Sequence, residues 1–136
     1  MKAIFRELHI QTKERAALID ITNEVEDVVR KSGVNDGLCL VQSLHSTASI
    51  IVNEHERGLL QDILTKVAKD FPKCAGWLHD RVDDNADAHL ASTFLSFSKT
   101  FAVKDKKLLR GSWQNIFLLE LDGPRIRTVV VEVLGE

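Results

Sequence analysis

The chain has 136 residues, 44% of them hydrophobic and 28% charged, a composition that indicates one globular domain and excludes a disordered chain. Its 18 basic and 20 acidic residues give a formal net charge of -2, so the basic surplus of a general nucleic-acid binder is absent and we expect no nucleic-acid partner. We also expect no membrane partner and predict a cytoplasmic protein, because no apolar run is long enough for a membrane span and charges interrupt the N-terminal apolar residues before a signal-peptide core forms.

The first half of the chain alternates between strand and helix patterns. Four strands are predicted there, at residues 2–11, 15–21, 38–44 and 48–52, the last two with the aliphatic and β-branched content of interior strands. A helix separates the second strand from the third, because apolar side chains recur on one face from Ile21 to Val29 and Gly33 follows as a stop signal.

Two more helices and four more strands follow. One helix is predicted from Asn53–Glu54 until Pro72 forbids its continuation, and another from Asp83 or Asp84, with Ala86, Leu90 and Phe94 recurring every four residues. The remaining strands are predicted at residues 100–103, 108–110, 113–121 and 125–134.

These elements predict a single compact α+β domain over residues 1–136, with mixed, mainly antiparallel β-sheets and about three packed helices. Cys39 and Cys74 lie far apart and form no CxxC motif, so we expect packing or bystander thiols and no disulfide framework.

Residues 79–89 are the richest in chemistry, with two histidines, four acids and an amide in one short stretch. Imidazole and carboxylate groups bind divalent metals and move protons near neutral pH. On the predicted helix, Asn85 and His89 lie four apart and share one face. The alternative is a solvated loop whose acids and amide cap the helix.

Other candidates also have an ordinary explanation. His45, with Ser46 and Thr47, lies between two predicted strands, where a histidine can simply hydrogen-bond a strand end. For residues 111–114, the glycine fits a bend, the tryptophan a core or subunit contact, and the glutamine a solvent bond. His9 and His55 are better explained as surface or packing residues.

Taken together, the ordered motifs resemble the YjbQ family over about residues 5–134. They are His45-Ser46-Thr47-Ala48 followed by Asn53-Glu54, then His79 with Asp83-Asp84-Asn85-Ala86 and Ala88-His89, then Gly111-Ser112-Trp113-Gln114, and finally Asp122-Gly123-Pro124-Arg125. Two hydroxyl-preserving departures occur, at Ser46 and Ser112, where members commonly carry threonine. The resemblance implies a compact α+β domain, a homotrimer, a polar active site and a secondary thiamine-phosphate synthase activity on small phosphorylated metabolites.

That activity requires stabilisation of a departing pyrophosphate, so charge neutralisation is the main demand on the site. Catalytic candidates are His45, Glu54, Asp84 and His89. Candidates for binding substrate or phosphate are Ser46, Thr47, Asn85, Gly111, Ser112, Gln114 and Arg125, and Arg127 could assist Arg125. A divalent metal is expected, with His45, His79, His89 and Asp84 as candidate ligands; the carboxylate suits Mg²⁺ and the histidines suit Zn²⁺, and the sequence leaves both open.

Three hypotheses follow for the function. The first is a thiamine-phosphate synthase that joins a pyrimidine methyl diphosphate to a thiazole phosphate with metal-assisted release of pyrophosphate. The second is a metal-dependent hydrolase of a small phosphorylated metabolite, with His45 or Glu54 as general base. The third is a non-catalytic ligand-binding or structural trimer, in which Trp77 and Trp113 supply contact area between subunits.

Overall fold

Two antiparallel sheets, joined face to face, carry the other elements. The computed structural model describes residues 1–136 and contains eight strands, β1 (Lys2–Gln11), β2 (Ala17–Asp20), β3 (Gly37–Ser43), β4 (Ala48–Asn53), β5 (Ser98–Lys104), β6 (Lys107–Leu108), β7 (Asn115–Glu120) and β8 (Ile126–Gly135). The helices are α1 (Thr22–Ser32), α2 (Arg57–Asp70) and α3 (Ala86–Leu95), and a short 3₁₀ helix (Leu78–Arg81) precedes α3.

The larger sheet has the strand order β1-β8-β3-β5-β6 and the smaller one β2-β7-β4. Every paired ladder is antiparallel, and the predicted α+β class is confirmed. All strand ends lie within two residues of the predicted ones. The long strands β1 and β8 pair over their whole length, which places the first and last strands of the chain side by side.

The core lies between the two sheets and under α1. In β7, the run from Ile116 to Leu119 is fully buried, because one face of the strand meets the larger sheet and α2 and α3 cover the other. A strand covered on both faces has a nearly continuous apolar sequence, as this run does. The expectation that residues 48–52 form an interior strand is wrong, since β4 is an edge strand; its first residues are buried because α3 packs over them.

Two helices begin later than predicted, and side-chain hydrogen bonds explain both differences. The Glu56 carboxylate accepts from the backbone N–H groups of Gly58 and Leu59, so α2 begins at Arg57 and not near Asn53. Before α3, a carboxylate oxygen of Asp80 accepts from the Ala86 N–H at 3.1 Å, and the helix begins at Ala86. Asp83 and Asp84 therefore lie outside the helix, on the exposed loop before it.

The two cysteines differ in their surroundings. Cys39 is fully buried in β3, and burial raises the pKa of its thiol to about 12, as expected for a packing residue. Cys74 is exposed in the loop after α2, and both are free thiols. None of the three α-helices combines the length and the apolar character that crossing a bilayer requires.

Candidate functional site

A fully buried ion pair joins the two sheets at one end of the molecule. Glu120 ends β7 in the smaller sheet and is 0% exposed, and Arg127 near the start of β8 in the larger sheet is 2% exposed. The Arg127 Nε donates to both carboxylate oxygens, at 2.9 Å and 3.1 Å, and its Nη2 also contacts the carboxylate. A desolvated charge pair of this kind is stable only when the geometry is good and further hydrogen bonds surround it.

The Glu120 carboxylate has the additional donors that such burial demands. The Thr12 hydroxyl donates to Oε1 at 2.7 Å, and the backbone N–H groups of Leu121 and Asp122 donate to Oε2 at 2.9 Å and 3.0 Å. Burial would raise the pKa of this carboxyl, but the hydrogen bonds from Arg127 and Thr12 outweigh it and hold the pKa below its usual value. Glu120 is therefore an anion that organises the turn after β7.

Arg127 is almost enclosed, yet one of its nitrogens is free. Nη2 donates to the hydroxyl and carbonyl oxygens of Thr47, at 3.0 Å and 3.2 Å, and so holds the loop before β4. No protein atom accepts a hydrogen bond from Nη1. The buried polar side-chain atoms without a partner are Asp80 Oδ2 and Asn85 Oδ1, so Nη1 is not fully buried and keeps some accessible surface. Because Arg127 lines an open cleft, Nη1 is the guanidinium nitrogen that can donate hydrogen bonds to a ligand there.

That cleft has a volume of about 590 Å³ and collects residues from three separate parts of the chain. Among its nine lining residues only Ile126 is hydrophobic. The nine are His45, Ser46, Thr47, Asn85, His89, Asp122, Arg125, Ile126 and Arg127. Six of these were predicted as site residues, so the structure brings together the loop before β4, the start of α3 and the turn before β8.

The backbone of β8 fixes the tautomer of His45. Its Nε2 accepts from the Thr128 N–H at 2.8 Å, which leaves the ring proton of the neutral imidazole on Nδ1. Burial lowers the pKa of His45, and the positive charges of Arg127 and Arg125 lower it further, against the opposing effect of Glu120. The surroundings of this histidine therefore favour its neutral form and anions in the cleft.

The start of α3 is clamped to the cleft by charged groups. Arg15 forms two hydrogen bonds of 3.0 Å with the Asp87 carboxylate in the first turn, and this contact raises the pKa of Arg15. The Asp122 carboxylate accepts from the Asn85 amide at 2.8 Å and from Arg125 at 3.0 Å. The one acid that lines the cleft is thus already paired, and the Asn85 Oδ1 is a buried acceptor without a donor.

Gly123 allows the turn before β8 to approach Glu120. A Cβ there would lie 2.2 Å from the Glu14 carbonyl and 2.9 Å from the Glu120 side chain, so no other residue fits without movement. The turn also places Arg125, whose Nε donates to the Asp122 carbonyl at 2.8 Å.

A second, smaller pocket begins on the other side of His89. It has a volume of about 340 Å³ and lies between the 3₁₀ helix and α3, with mainly apolar walls: Trp77, Leu78, His79, Ala86, His89 and Leu90. The rings of His79 and His89 meet edge to face, with centroids 4.7 Å apart. His79 therefore lies beside the polar cleft without lining it.

Four predicted site residues lie at the other end of the smaller sheet. Glu54 directly follows β4, and Gly111, Ser112 and Gln114 precede β7, where Gly111 N–H donates to the Gln114 side chain at 2.7 Å. Asn53 pairs with Asn115, whereas Ala48 pairs with Glu120 at the other end of the same ladder. Five steps along a strand span about 17 Å, so these residues are separated from the cleft. Asp84 is exposed and does not line the cleft either.

The predicted metal ligands do not fit a single ion. No group of three or more histidine, cysteine, aspartate or glutamate side chains is arranged to hold a metal. Because the Nε2 of His45 accepts from the Thr128 N–H, only Nδ1 could bind a metal. The proton of the neutral ring would then lie on Nε2, which could no longer accept that hydrogen bond. His79 and His89 are adjacent, but His45 and Asp84 do not complete a cage around them. The cations that line the cleft are Arg125 and Arg127.

Sequence reasoning missed the buried pair that organises the cleft. Glu120 had no assigned role, and Arg127 was considered only as a helper of Arg125. A signal existed for Glu120, which interrupts a long apolar strand pattern, because a charge at such a position is buried at high cost unless it is paired.

Comparison with known proteins finds relatives that match most of this chain. A sequence model of the family described as "UPF0047 protein YjbQ-like" matches residues 6–136. A UPF0047 protein of Archaeoglobus fulgidus is 48% identical over 128 residues, which cover 94% of this chain and 99% of the relative. The UPF0047 protein YugU of Bacillus subtilis is 32% identical over 136 residues, with 97% and 100% covered.

Two crystal structures share the whole architecture. A YbjQ-like protein of unknown function from Sulfolobus solfataricus P2 has a TM-score of 0.98 at 51% identity, with 99% of both chains covered. The hypothetical protein APE1520 from Aeropyrum pernix K1 has a TM-score of 0.95 at 36% identity, with 98% of this chain and 99% of that chain covered. The chain therefore belongs to the UPF0047, YjbQ-like family.

Proposed function

We propose that the polar cleft binds the phosphate groups of a small metabolite, and that the reaction is thiamine-phosphate formation from a pyrimidine methyl diphosphate and a thiazole phosphate. The observation that carries the proposal is the free Nη1 of Arg127 in a cleft that Arg125 also lines. Two guanidinium groups, of which one is held rigidly by a buried carboxylate, suit the recognition of phosphate oxygens.

The proposed reaction transfers the pyrimidine methyl group from a diphosphate oxygen to the thiazole nitrogen. The bond between the pyrimidine methylene carbon and the diphosphate oxygen breaks, and the oxygen keeps the electron pair and leaves as pyrophosphate. A bond forms between that carbon and the thiazole nitrogen, which becomes positively charged. No proton must move in this step, so the site has to stabilise the departing negative charge and exclude water.

Each cleft residue then has a role that follows from its contacts. Arg125 and Arg127 neutralise the departing pyrophosphate, and Ser46 and Thr47 lie where their hydroxyl groups can donate to its oxygens. His45 is neutral with its proton on Nδ1, so it can donate a hydrogen bond and does not need to act as a base.

The hydrolytic alternative receives less support from the geometry. It needs a general base, for which His45 and Glu54 are the sequence candidates. The Nε2 of His45 already accepts from Thr128, and Glu54 lies at the other end of the β4–β7 ladder. The expected divalent metal stays a prediction, to be tested by metal analysis of the purified protein.

A coupled assay with both precursors tests the proposal. We expect thiamine phosphate and pyrophosphate in equal amounts, and a fall in kcat/KM of about tenfold to a hundredfold in Arg125→Ala, which removes hydrogen bonds to a charged group. Ser112→Ala is the matched control, since Ser112 is also exposed but lies outside the cleft. Parallel reactions with EDTA, Mg²⁺ and Zn²⁺ report any requirement for a metal.

Two other results would replace the proposal. Release of phosphate without a coupled product would indicate hydrolysis. Failure to turn over or bind either precursor, with the parent and Arg125→Ala indistinguishable, would support a structural or purely ligand-binding protein.

Self-association as a homotrimer and the cytoplasmic location also stay predictions. The sheet face that points away from the core carries exposed apolar side chains, with Phe5 51%, Leu38 54% and Leu134 38% exposed. Leu38 and Leu134 lie opposite each other in the β3–β8 ladder. A contact between subunits would bury this face. Sedimentation velocity tests this contact. We expect a trimer for the parent and a smaller species for Leu38→Lys.

A further inference from the structure

The apolar pocket next to the cleft is a feature that the charge-based mechanism does not use. It shares only His89 with the cleft, so this side chain forms the wall between a strongly polar compartment and a mainly apolar one. A ligand whose phosphate lies beside the arginines would direct the rest of its body along this wall.

The composition of the two compartments is complementary to a molecule with two different ends. Eight of the nine cleft residues are polar or charged, whereas four of the six residues around the second pocket are hydrophobic. Binding sites for small molecules combine such apolar walls with a few well-placed polar groups. A volume of about 340 Å³ accommodates a single planar ring.

The wall itself is suited to a ring. His79 packs against His89 edge to face, at an interplanar angle of 73°, so the aromatic edge of the pocket is already ordered by a neighbouring ring. Trp77 is held by a hydrogen bond of 2.9 Å from its indole nitrogen to the Pro72 carbonyl. These lining residues therefore do not need to be ordered by the ligand.

We infer that this pocket, lined by Trp77, Leu78, His79 and Leu90, binds the planar ring of a ligand whose phosphate occupies the polar cleft. This inference rests on the proposed function and adds to it the site where the ring of such a ligand binds: because of this pocket, ring-bearing phosphates bind more tightly than phosphates with a small aliphatic group. His89 is then the residue that contacts both ends of the ligand.

Titration calorimetry with two phosphonates, which share the charged group and resist hydrolysis, tests the inference. We expect benzylphosphonate to bind at least tenfold more tightly than methylphosphonate. In Leu78→Asn, which places an amide on the apolar wall, this preference should fall to less than threefold while the affinity for methylphosphonate stays the same. Leu78 is 73% exposed, so the substitution should not disturb folding.

Val82→Asn is the matched control, because Val82 is 85% exposed just after the 3₁₀ helix and does not line the pocket. It should keep the full preference. Equal affinity for the two phosphonates in the parent, or a preference that survives in Leu78→Asn, would overturn the inference and leave the phosphate site intact. Absence of methylphosphonate binding would overturn the phosphate site as well.

Discussion

The two ends of the smaller sheet carry polar clusters that differ in their exposure to water. At the end where Glu120 and Arg127 meet, the ion pair is buried between the two sheets and its members hold three loops. At the other end, Asp20 and His55 form a pair of 2.6 Å whose side chains are 23% and 52% exposed. Both carboxylates have several donors, but only the first pair is removed from water.

The buried pair organises a candidate site, whereas the partly exposed pair is a surface contact. Burial would raise the pKa of Asp20, yet hydrogen bonds from Thr22, His55 and Asn115 hold it below its usual value, as Arg127 and Thr12 do for Glu120. The directions of the two shifts are the same, so they do not distinguish the two ends. Desolvation does, because loss of one buried partner leaves an uncompensated charge.

The largest expected effect follows from removing the buried cation. Arg127→Met should lower the free energy of unfolding by about 3–5 kcal/mol, because Glu120 would remain charged and buried without its partner. Urea denaturation followed by tryptophan fluorescence measures it. The double variant Glu120→Gln with Arg127→Met should recover part of the loss, because the neutral amide removes the buried charge while its oxygen still accepts from the backbone N–H groups after β7. A single-variant loss below about 1 kcal/mol would contradict the assigned role.

The next effect concerns ligand affinity at the two ends. Arg125→Ala should weaken methylphosphonate binding by about tenfold to a hundredfold, since hydrogen bonds to charged groups contribute about 1.5–3 kcal/mol. Gln114→Ala, an exposed residue at the other end, should bind as the parent does. Calorimetry decides: equal losses in both variants would mean that the cleft is not the phosphate site.

A smaller effect should appear in the pH dependence of stability. The folded-state pKa of His45 lies below its ordinary value of 6.5. The contribution of the neutral ring to folding stability is therefore fully present above pH 6.5 and is lost as the pH falls through the folded pKa. His45→Gln keeps an acceptor for the Thr128 N–H but cannot titrate, so its stability should fall less between pH 7 and about 5. Urea midpoints across this range, with an NMR titration of His45, measure it; parallel slopes would refute it.

The smallest effect is expected at the exposed pair. His55→Ala should change the free energy of unfolding by only about 0–1 kcal/mol, because solvent screens the pair and its side chains remain partly hydrated. The same urea experiment applies. A loss as large as that of Arg127→Met would show that exposure does not separate the two ends.

The sequence was sufficient where local pattern decides the answer. The helix that ends before Pro72 and the strand at residues 113–121 were both predicted from local sequence. The spacing of four residues predicted that Asn85 and His89 share one face, and both line the cleft. The late starts of α2 and α3 depend on the Glu56 and Asp80 carboxylates, whose contacts with the backbone form only in the folded chain.

The grouping of the motifs could not be predicted in the same way. Glu54 and Gln114 belong to motifs that accompany His45 and Arg125 in chain order, but the antiparallel register of β4 and β7 places them at the opposite end. The Glu120–Arg127 pair joins strands of two different sheets, and its formation depends on how those sheets pack. Neither relation is contained in periodicity or composition.

The unequal surroundings of the two cysteines make the natural chain ready for site-specific labelling. Alkylating reagents attack the thiolate, which Cys39 cannot supply at neutral pH because its thiol is buried with a pKa of about 12. Cys74 is exposed and lies three residues before Trp77. An environment-sensitive maleimide dye should therefore attach at a single position beside the apolar pocket and report ring binding by a change in emission, without any engineered residue.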